Sequence, residues 1–158
     1  MSRLDYFSAG SDLAKQYLAL NTLINKKDAL QGLQELVTLR ASQINGCGFC
    51  VDMHVKEAKI NGERELRLHH VAIWHDSPLF NERERAALEW TEILTRLPAE
   101  GVSDALYQKV REHFSEEDLT TLTFLIVAIN GWNRLNIAFK PTPGSADKAF
   151  GLDKAGLS

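Results

Sequence analysis

Residues 28–62 read DALQGLQELVTLRASQINGCGFCVDMHVKEAKING, and their pattern decides the fold. Leu30, Leu33, Val37, Ala41 and Ile44 recur at helical spacing and predict a helix that opens near Asp28. Asn45-Gly46 ends it, because glycine readily takes the left-handed conformation that closes a helix. A second helix opens at Cys47 and Cys50 and closes on the same kind of signal at Asn61-Gly62. Two helices joined by so short a turn run antiparallel. This hairpin, residues 28–61, is expected at the centre of the molecule.

Helical periodicity continues on both sides. Ser11 caps a helix to about Asn25 with Leu13, Tyr17, Leu20 and Ile24 as its inner stripe. Glu63 to about Trp74 forms a shorter helical piece. His75-Asp76-Ser77-Pro78 then breaks the chain, since a residue before proline is driven out of the helical region. Asn81 with Glu84 makes a capping box for a helix to about Arg96, which Pro98 stops. Ser103 caps a helix to His113, and Ser115 caps a long one from Glu116 to Phe139. Residues 141–158 form a Pro/Gly-rich tail, expected to be loose or packed on a partner subunit. No alternating strand pattern occurs. The fold class is therefore all-α, with six to seven helices in one domain over residues 1–158 and a core of about 20–140.

Composition narrows the function. A net charge of −3 disfavours nucleic acid, which is bound through basic surface. The strongest apolar run, Leu122–Asn130, falls far short of the roughly 20 residues that span a bilayer. The N-terminus shows no signal-peptide core. These readings predict a cytoplasmic protein without membrane partners. In that compartment a close cysteine pair is more often catalytic or metal-binding than structural.

Cys47 and Cys50 are the only cysteines, and both fall in the first turn of the second hairpin helix. Unpaired N–H groups and the positive end of the helix dipole favour a thiolate there. A free thiol of pKa about 8.5 is only about 3% ionised at pH 7. Lowering that value by two units takes about 2.7 kcal/mol, whereas a helix terminus supplies about 0.3–1 kcal/mol. A nearby base or cation is needed. His54, one turn past Cys50, can take the thiol proton. Glu35 can hold the other ring nitrogen. With the turn centred between Asn45 and Gly46, Glu35 lies about 10.5 residues before it and His54 about 8.5 after it. At about 1.5 Å per residue their axial offset is only about 3 Å. Two rivals stand beside this relay. The cysteines could be small buried residues. They could also join His54 and a fourth ligand (His69, His70, His75 or Glu35) around zinc, although no second paired ligand set is present.

The spacing E-x11-C-x-x-C-x3-H, carried by Glu35, Cys47, Cys50 and His54, resembles the core of AhpD-like alkylhydroperoxidases in the carboxymuconolactone decarboxylase superfamily. The flanks from Leu33 to Glu63 are similar to that core, and WHDSPLFNERERAALEWTEILTR (74–96) is similar to the following segment of small single-domain members. The resemblance covers about residues 20–140. It implies an AhpD-like helical subunit in a trimeric or hexameric homo-oligomer that reduces alkyl or hydrogen peroxide. It implies that Cys50 attacks the peroxide, Cys47 resolves the sulfenic acid as a disulfide, and His54 and Glu35 relay the proton. A separate dithiol reductant protein would restore the pair, with no cofactor and no metal. One position departs from the pattern. Phe49 stands where the best-known peroxidases of the family carry histidine. An aromatic ring can shield the site but cannot move a proton, which leaves a thiol–disulfide oxidoreductase or redox sensor as the alternative. The decarboxylase branch lacks the dithiol, so lactone decarboxylation is not expected.

Elsewhere, Trp132-Asn133-Arg134 interrupts an apolar helix and suggests oligomer packing and a buried hydrogen-bond network. Arg40 suggests an interior ion pair. His69 and His70 suggest a solvated face, and His75 has no assigned role. Phe49, Met53, Trp74, Leu79 and Phe80 could wall an apolar pocket or simply fill the core.

Overall fold

A computed structural model describes residues 2–157, which form helices joined by turns with no strand among them. The α-helices are α1 (Tyr6–Ala9), α2 (Ser11–Asn25), α3 (Gln34–Asn45), α4 (Gly48–Ile60), α5 (Glu65–His70), α6 (Glu82–Arg96), α7 (Asp104–Arg111), α8 (Glu116–Phe139) and α9 (Asp147–Phe150). Short 3-10 turns span Asp28–Leu30, Val71–Asp76 and Leu152–Ala155. Since α1 and α9 are single turns of four residues, seven longer helices remain among the described residues, as expected.

The central element is α3, which packs against α4, α6 and α8. Its two sides enter different cores. Val37 faces Ala87, Trp90, Leu122 and Ile126, whereas Leu36 and Leu39 face Ala58, Val71, Trp74 and Leu88. A helix buried on opposite sides has little surface left for polar residues. Each leucine or valine so buried contributes about 1.5–3 kcal/mol. The hairpin turn is as expected, with Gly46 left-handed at φ 69° and α4 starting directly after Cys47.

Three expectations need correction. The first hairpin helix begins at Gln34 rather than near Asp28. Gly32 sits at φ 76°, a conformation incompatible with a continuing helix, and splits off the 3-10 turn at Asp28–Leu30. Leu30 and Leu33 still reach the core, so their periodicity is a packing signal rather than a helix start. The α2 stripe is also displaced. Ala14 and Ile24 are its buried residues, while Leu13 is 81% exposed and Leu20 lies at the surface. The helix rests on α8 through Tyr17, whose hydroxyl donates to the Ala128 carbonyl at 2.8 Å. Finally, the tail packs on its own chain. Lys56 of α4 bridges Asp52 and Asp147 at 2.9 and 2.8 Å, and the Gly144 N–H donates to Asp52 at 3.0 Å. Leu152 and Ala155 are buried.

Arg40 makes the interior ion pair anticipated for it. Glu92 of α6 accepts from the Arg40 guanidinium at 2.7 Å, the Trp74 indole at 2.8 Å and Arg96 at 2.6 Å. This hub ties α3 and the Val71–Asp76 turn to α6. The Asn81–Glu84 capping box forms as read.

Candidate functional site

The two cysteines sit at the start of α4, joined as a disulfide with their Cα atoms 5.3 Å apart. Cys47 is the N-cap, and its sulfur accepts the Cys50 backbone N–H at 3.3 Å. Both residues are only 2% exposed, so access depends on a cavity. One of about 790 Å³ opens on Cys50, and Cys47 is not in its wall. That volume suits a small organic ligand.

The cavity wall is mostly apolar. Phe49 and Met53 of α4 form its floor beside Cys50, Trp132 and Ile129 come from α8, and Phe7 and Phe150 come from the two ends of the chain. Phe49 and Met53 therefore line a pocket. Trp74, Leu79 and Phe80 stay outside this cavity and pack in the second core with Leu88, and Trp74 lines a separate, smaller cavity of about 140 Å³. Asp5, Tyr6, His54 and Glu57 are the ionisable groups in this wall besides Cys50, and no lysine or arginine lines it among the described residues.

His54 lines the same cavity as Cys50. Its Nδ1 lies 2.7 Å from a Glu57 carboxylate oxygen. Against a carboxylate the neutral imidazole places its proton on Nδ1 and donates it to Glu57, and in that tautomer Nε2 is free to accept. The sequence reading does not single out Glu57, although a glutamate three residues after a helical histidine lies on the same face. Glu35 accepts from the Asn61 amide at 2.8 Å. It shares with Glu57 the wall of a second cavity of about 310 Å³, and Gln34, Thr38, Glu57 and Phe150 belong to both cavities. The structure thus joins Cys50 and His54 in one cavity and places Glu35 one cavity further out.

The polar run of α8 splits into two groups. Asn45 of α3 donates to Asn130 and Asn133 at 2.9 and 2.8 Å, and Asn133 donates to Ser42 at 3.0 Å. This is the buried network expected of the run. Asn136 turns to the sulfur instead, its amide donating to Cys50 Sγ at 3.4 Å while its oxygen accepts from the Tyr6 hydroxyl at 2.9 Å. Burial, and secondarily the charge of Asp5, push the Tyr6 phenol up to about 12, so it remains a donor at neutral pH.

His69 is exposed, His70 bonds the Ser77 hydroxyl, and His75 stacks on Trp74. Among the described residues no group of three or more His, Cys, Asp or Glu is placed to hold a metal ion. Nor is any helix among them long and apolar enough to cross a membrane.

The profile of the carboxymuconolactone decarboxylase family matches residues 11–92. The uncharacterized protein YdfG of Bacillus subtilis is 36% identical over 136 residues, which are 86% of this chain and 92% of that protein. A protein of unknown function from Agrobacterium tumefaciens, with a suggested identity as the antioxidant defence protein AhpD, superposes with a TM-score of 0.86. It is 37% identical, over 90% of this chain and 97% of that one. The debrominase Bmp8 superposes with a TM-score of 0.75 at 20% identity, over 94% of this chain and 80% of that one. At that identity the likeness is one of fold, and the fold alone does not select a reaction.

Proposed function

The chain belongs to the carboxymuconolactone decarboxylase family and has an AhpD-like all-helical fold, and on that premise we propose that it is a thiol-dependent peroxidase. The observation that carries this reading is that Cys50, half of a Cys47–Cys50 disulfide, opens on a large apolar cavity that His54 also lines. Cys47 behind it is suited to resolve rather than attack.

The Cys50 thiolate attacks the outer oxygen of the peroxide. A sulfur–oxygen bond forms, the oxygen–oxygen bond breaks, and the leaving alkoxide takes a proton and departs as an alcohol. His54 accepts the thiol proton at Nε2, held in that tautomer by Glu57, and returns it to the leaving oxygen. The second cavity offers Glu35 as the outer carboxylate of the relay. The Cys47 thiol then attacks the oxidised sulfur, the disulfide forms and water leaves. An external dithiol protein reduces the disulfide by exchange. No cofactor or metal enters this cycle.

A cavity without lysine or arginine suits an uncharged alkyl hydroperoxide better than an anionic one. The chain acts as a homo-oligomer, trimer or hexamer, and the exposed Leu13, Leu23, Phe124 and Val127 on α2 and α8 supply apolar surface for a second copy. The deciding assay is peroxide consumption with a dithiol reductant. Turnover is expected to be lost in Cys50→Ser and in Cys47→Ser. Unchanged turnover in both would overturn the reading.

A further inference from the structure

We propose that Asn136 is a catalytic residue that holds the reacting sulfur of Cys50, and that Tyr6 positions it. The inference rests on the reading of Cys50 as the attacking thiolate. It starts from the chain Tyr6 Oη, Asn136 Oδ1, Asn136 Nδ2, Cys50 Sγ, with links of 2.9 Å and 3.4 Å. Asn136 is buried and also lines the cavity. Tyr6 donates to its oxygen, which aims the amide nitrogen at sulfur. A disulfide sulfur accepts weakly, whereas a thiolate accepts strongly, so the contact tightens on reduction.

The surroundings of Cys50 make this donor matter. The titratable groups facing the cavity are His54 and Glu57 from α4, and Asp5 and Tyr6 from the N-terminal segment. Those contributed by α2, α3, α8 and the tail are uncharged. With no lysine or arginine in the wall, a neutral amide aimed at sulfur is a stabiliser of the thiolate beyond the end of α4 and the imidazolium that His54 becomes on taking the thiol proton. The same amide serves the next species. When the thiolate attacks a peroxide, the oxygen–oxygen bond breaks, an alcohol leaves and sulfur carries the new oxygen. The Asn136 donor then holds the sulfenic acid until the Cys47 thiol attacks its sulfur, the disulfide forms and the hydroxyl leaves as water with the thiol's proton.

The test uses Cys47→Ser protein, in which Cys50 is the only thiol and the substituted hydroxyl preserves the helix cap. The rate of iodoacetamide alkylation against pH reports its thiolate. Asn136→Leu should raise the midpoint by about one to two units, slowing alkylation about 10- to 100-fold below it. Asn136→Asp, which keeps the shape, should raise it further. Tyr6→Phe should shift it less, in the same direction, and add nothing in the Asn136→Leu background. Should Asn136→Leu fail to fold, the aspartate variant and Tyr6→Phe carry the test alone. An unmoved midpoint in the variants that fold overturns the role of Asn136. A Tyr6 effect that persists without the amide overturns the positioning role. Peroxide turnover is read separately in chains with both cysteines. A shifted midpoint without wild-type turnover supports Asn136 and removes the peroxidase reading, and turnover with an unmoved midpoint does the reverse.

Discussion

Gly131 sits inside α8, where alanine would ordinarily stabilise a helix by about 1 kcal/mol. Here the sign should reverse. A Cβ on residue 131 would stand 2.0 Å from the Tyr17 hydroxyl oxygen and 2.8 Å from its Cζ. Backing the ring away breaks its hydrogen bond to Ala128, worth about 0.5–1.5 kcal/mol. It also disturbs the packing of Tyr17 on Trp132, whose ring centroid is 4.7 Å away. Overpacking of this kind costs about 1–3 kcal/mol. The net expectation for Gly131→Ala is a loss of about 1–3 kcal/mol, or a fall in Tm of about 2–10 °C. The assay is thermal and urea denaturation at matched protein concentration. In a Tyr17→Leu background the obstructing atoms are gone, and the same substitution should become stabilising by up to about 1 kcal/mol. A Gly131→Ala protein as stable as wild type, or one whose effect is the same in both backgrounds, would refute the reasoning.

Glu57→Gln should slow peroxide turnover by about 10- to 100-fold, because an amide can hold the wrong His54 tautomer, while Glu35→Gln should do less. The reverse order in single-turnover kinetics would make Glu35 the direct partner of His54. Burial works to raise the Glu92 carboxyl, but hydrogen bonds from Trp74, Arg96 and Arg40 outweigh it and hold the value down at about 2 instead of 4.5. Its contribution is thus present above about pH 4.5 and lost as the pH falls towards 2. With solvent screening of the exposed Arg96 allowed for, that is about 2 kcal/mol. Urea midpoints from pH 6 to 3 should fall less steeply in Glu92→Gln than in wild type, and parallel curves would dismiss the assignment. Leu13→Asp combined with Leu23→Asp should lower the mass seen by light scattering to that of a smaller species; an unchanged mass would exclude α2 from the interface.

The hairpin can be read from the sequence because its signals are local. Asn45-Gly46 closes one helix, and the following N-cap opens the next. The cap of α8 at Ser115 and the box at Asn81–Glu84 are equally local. What escapes such a reading depends on contacts distant in sequence. Leu13 and Leu20 carry a helical stripe, but which face of α2 is buried depends on Tyr17 meeting α8 more than a hundred residues on. The tail is rich in Pro and Gly, yet Lys56 and Asp147 pair across 91 residues and dock it. Glu57 is within reach of sequence reasoning, since it lies one turn past His54. An exposed-type glutamate on a helix nonetheless reads as solvated until its neighbour's orientation is known. Asn136 is hidden in a polar run whose other members form a purely structural network.

The position of Asn136 also bears on Phe49. A thiol ionised at neutral pH needs about 2.7 kcal/mol for a two-unit shift. The start of α4 contributes about 0.3–1 kcal/mol of it. A hydrogen bond to a charged acceptor contributes about 1.5–3 kcal/mol. Together they reach about 2–4 kcal/mol, enough without a lysine or arginine and without a histidine at position 49. The ring at that position is then free to serve as cavity wall, which is where it is found. On this accounting Phe49→His should add little to the Cys50 thiolate, whereas loss of the Asn136 amide should remove most of it. Alkylation profiles of the two variants in the Cys47→Ser background separate these contributions, and a larger effect from position 49 would show that the α8 donor is not the main stabiliser.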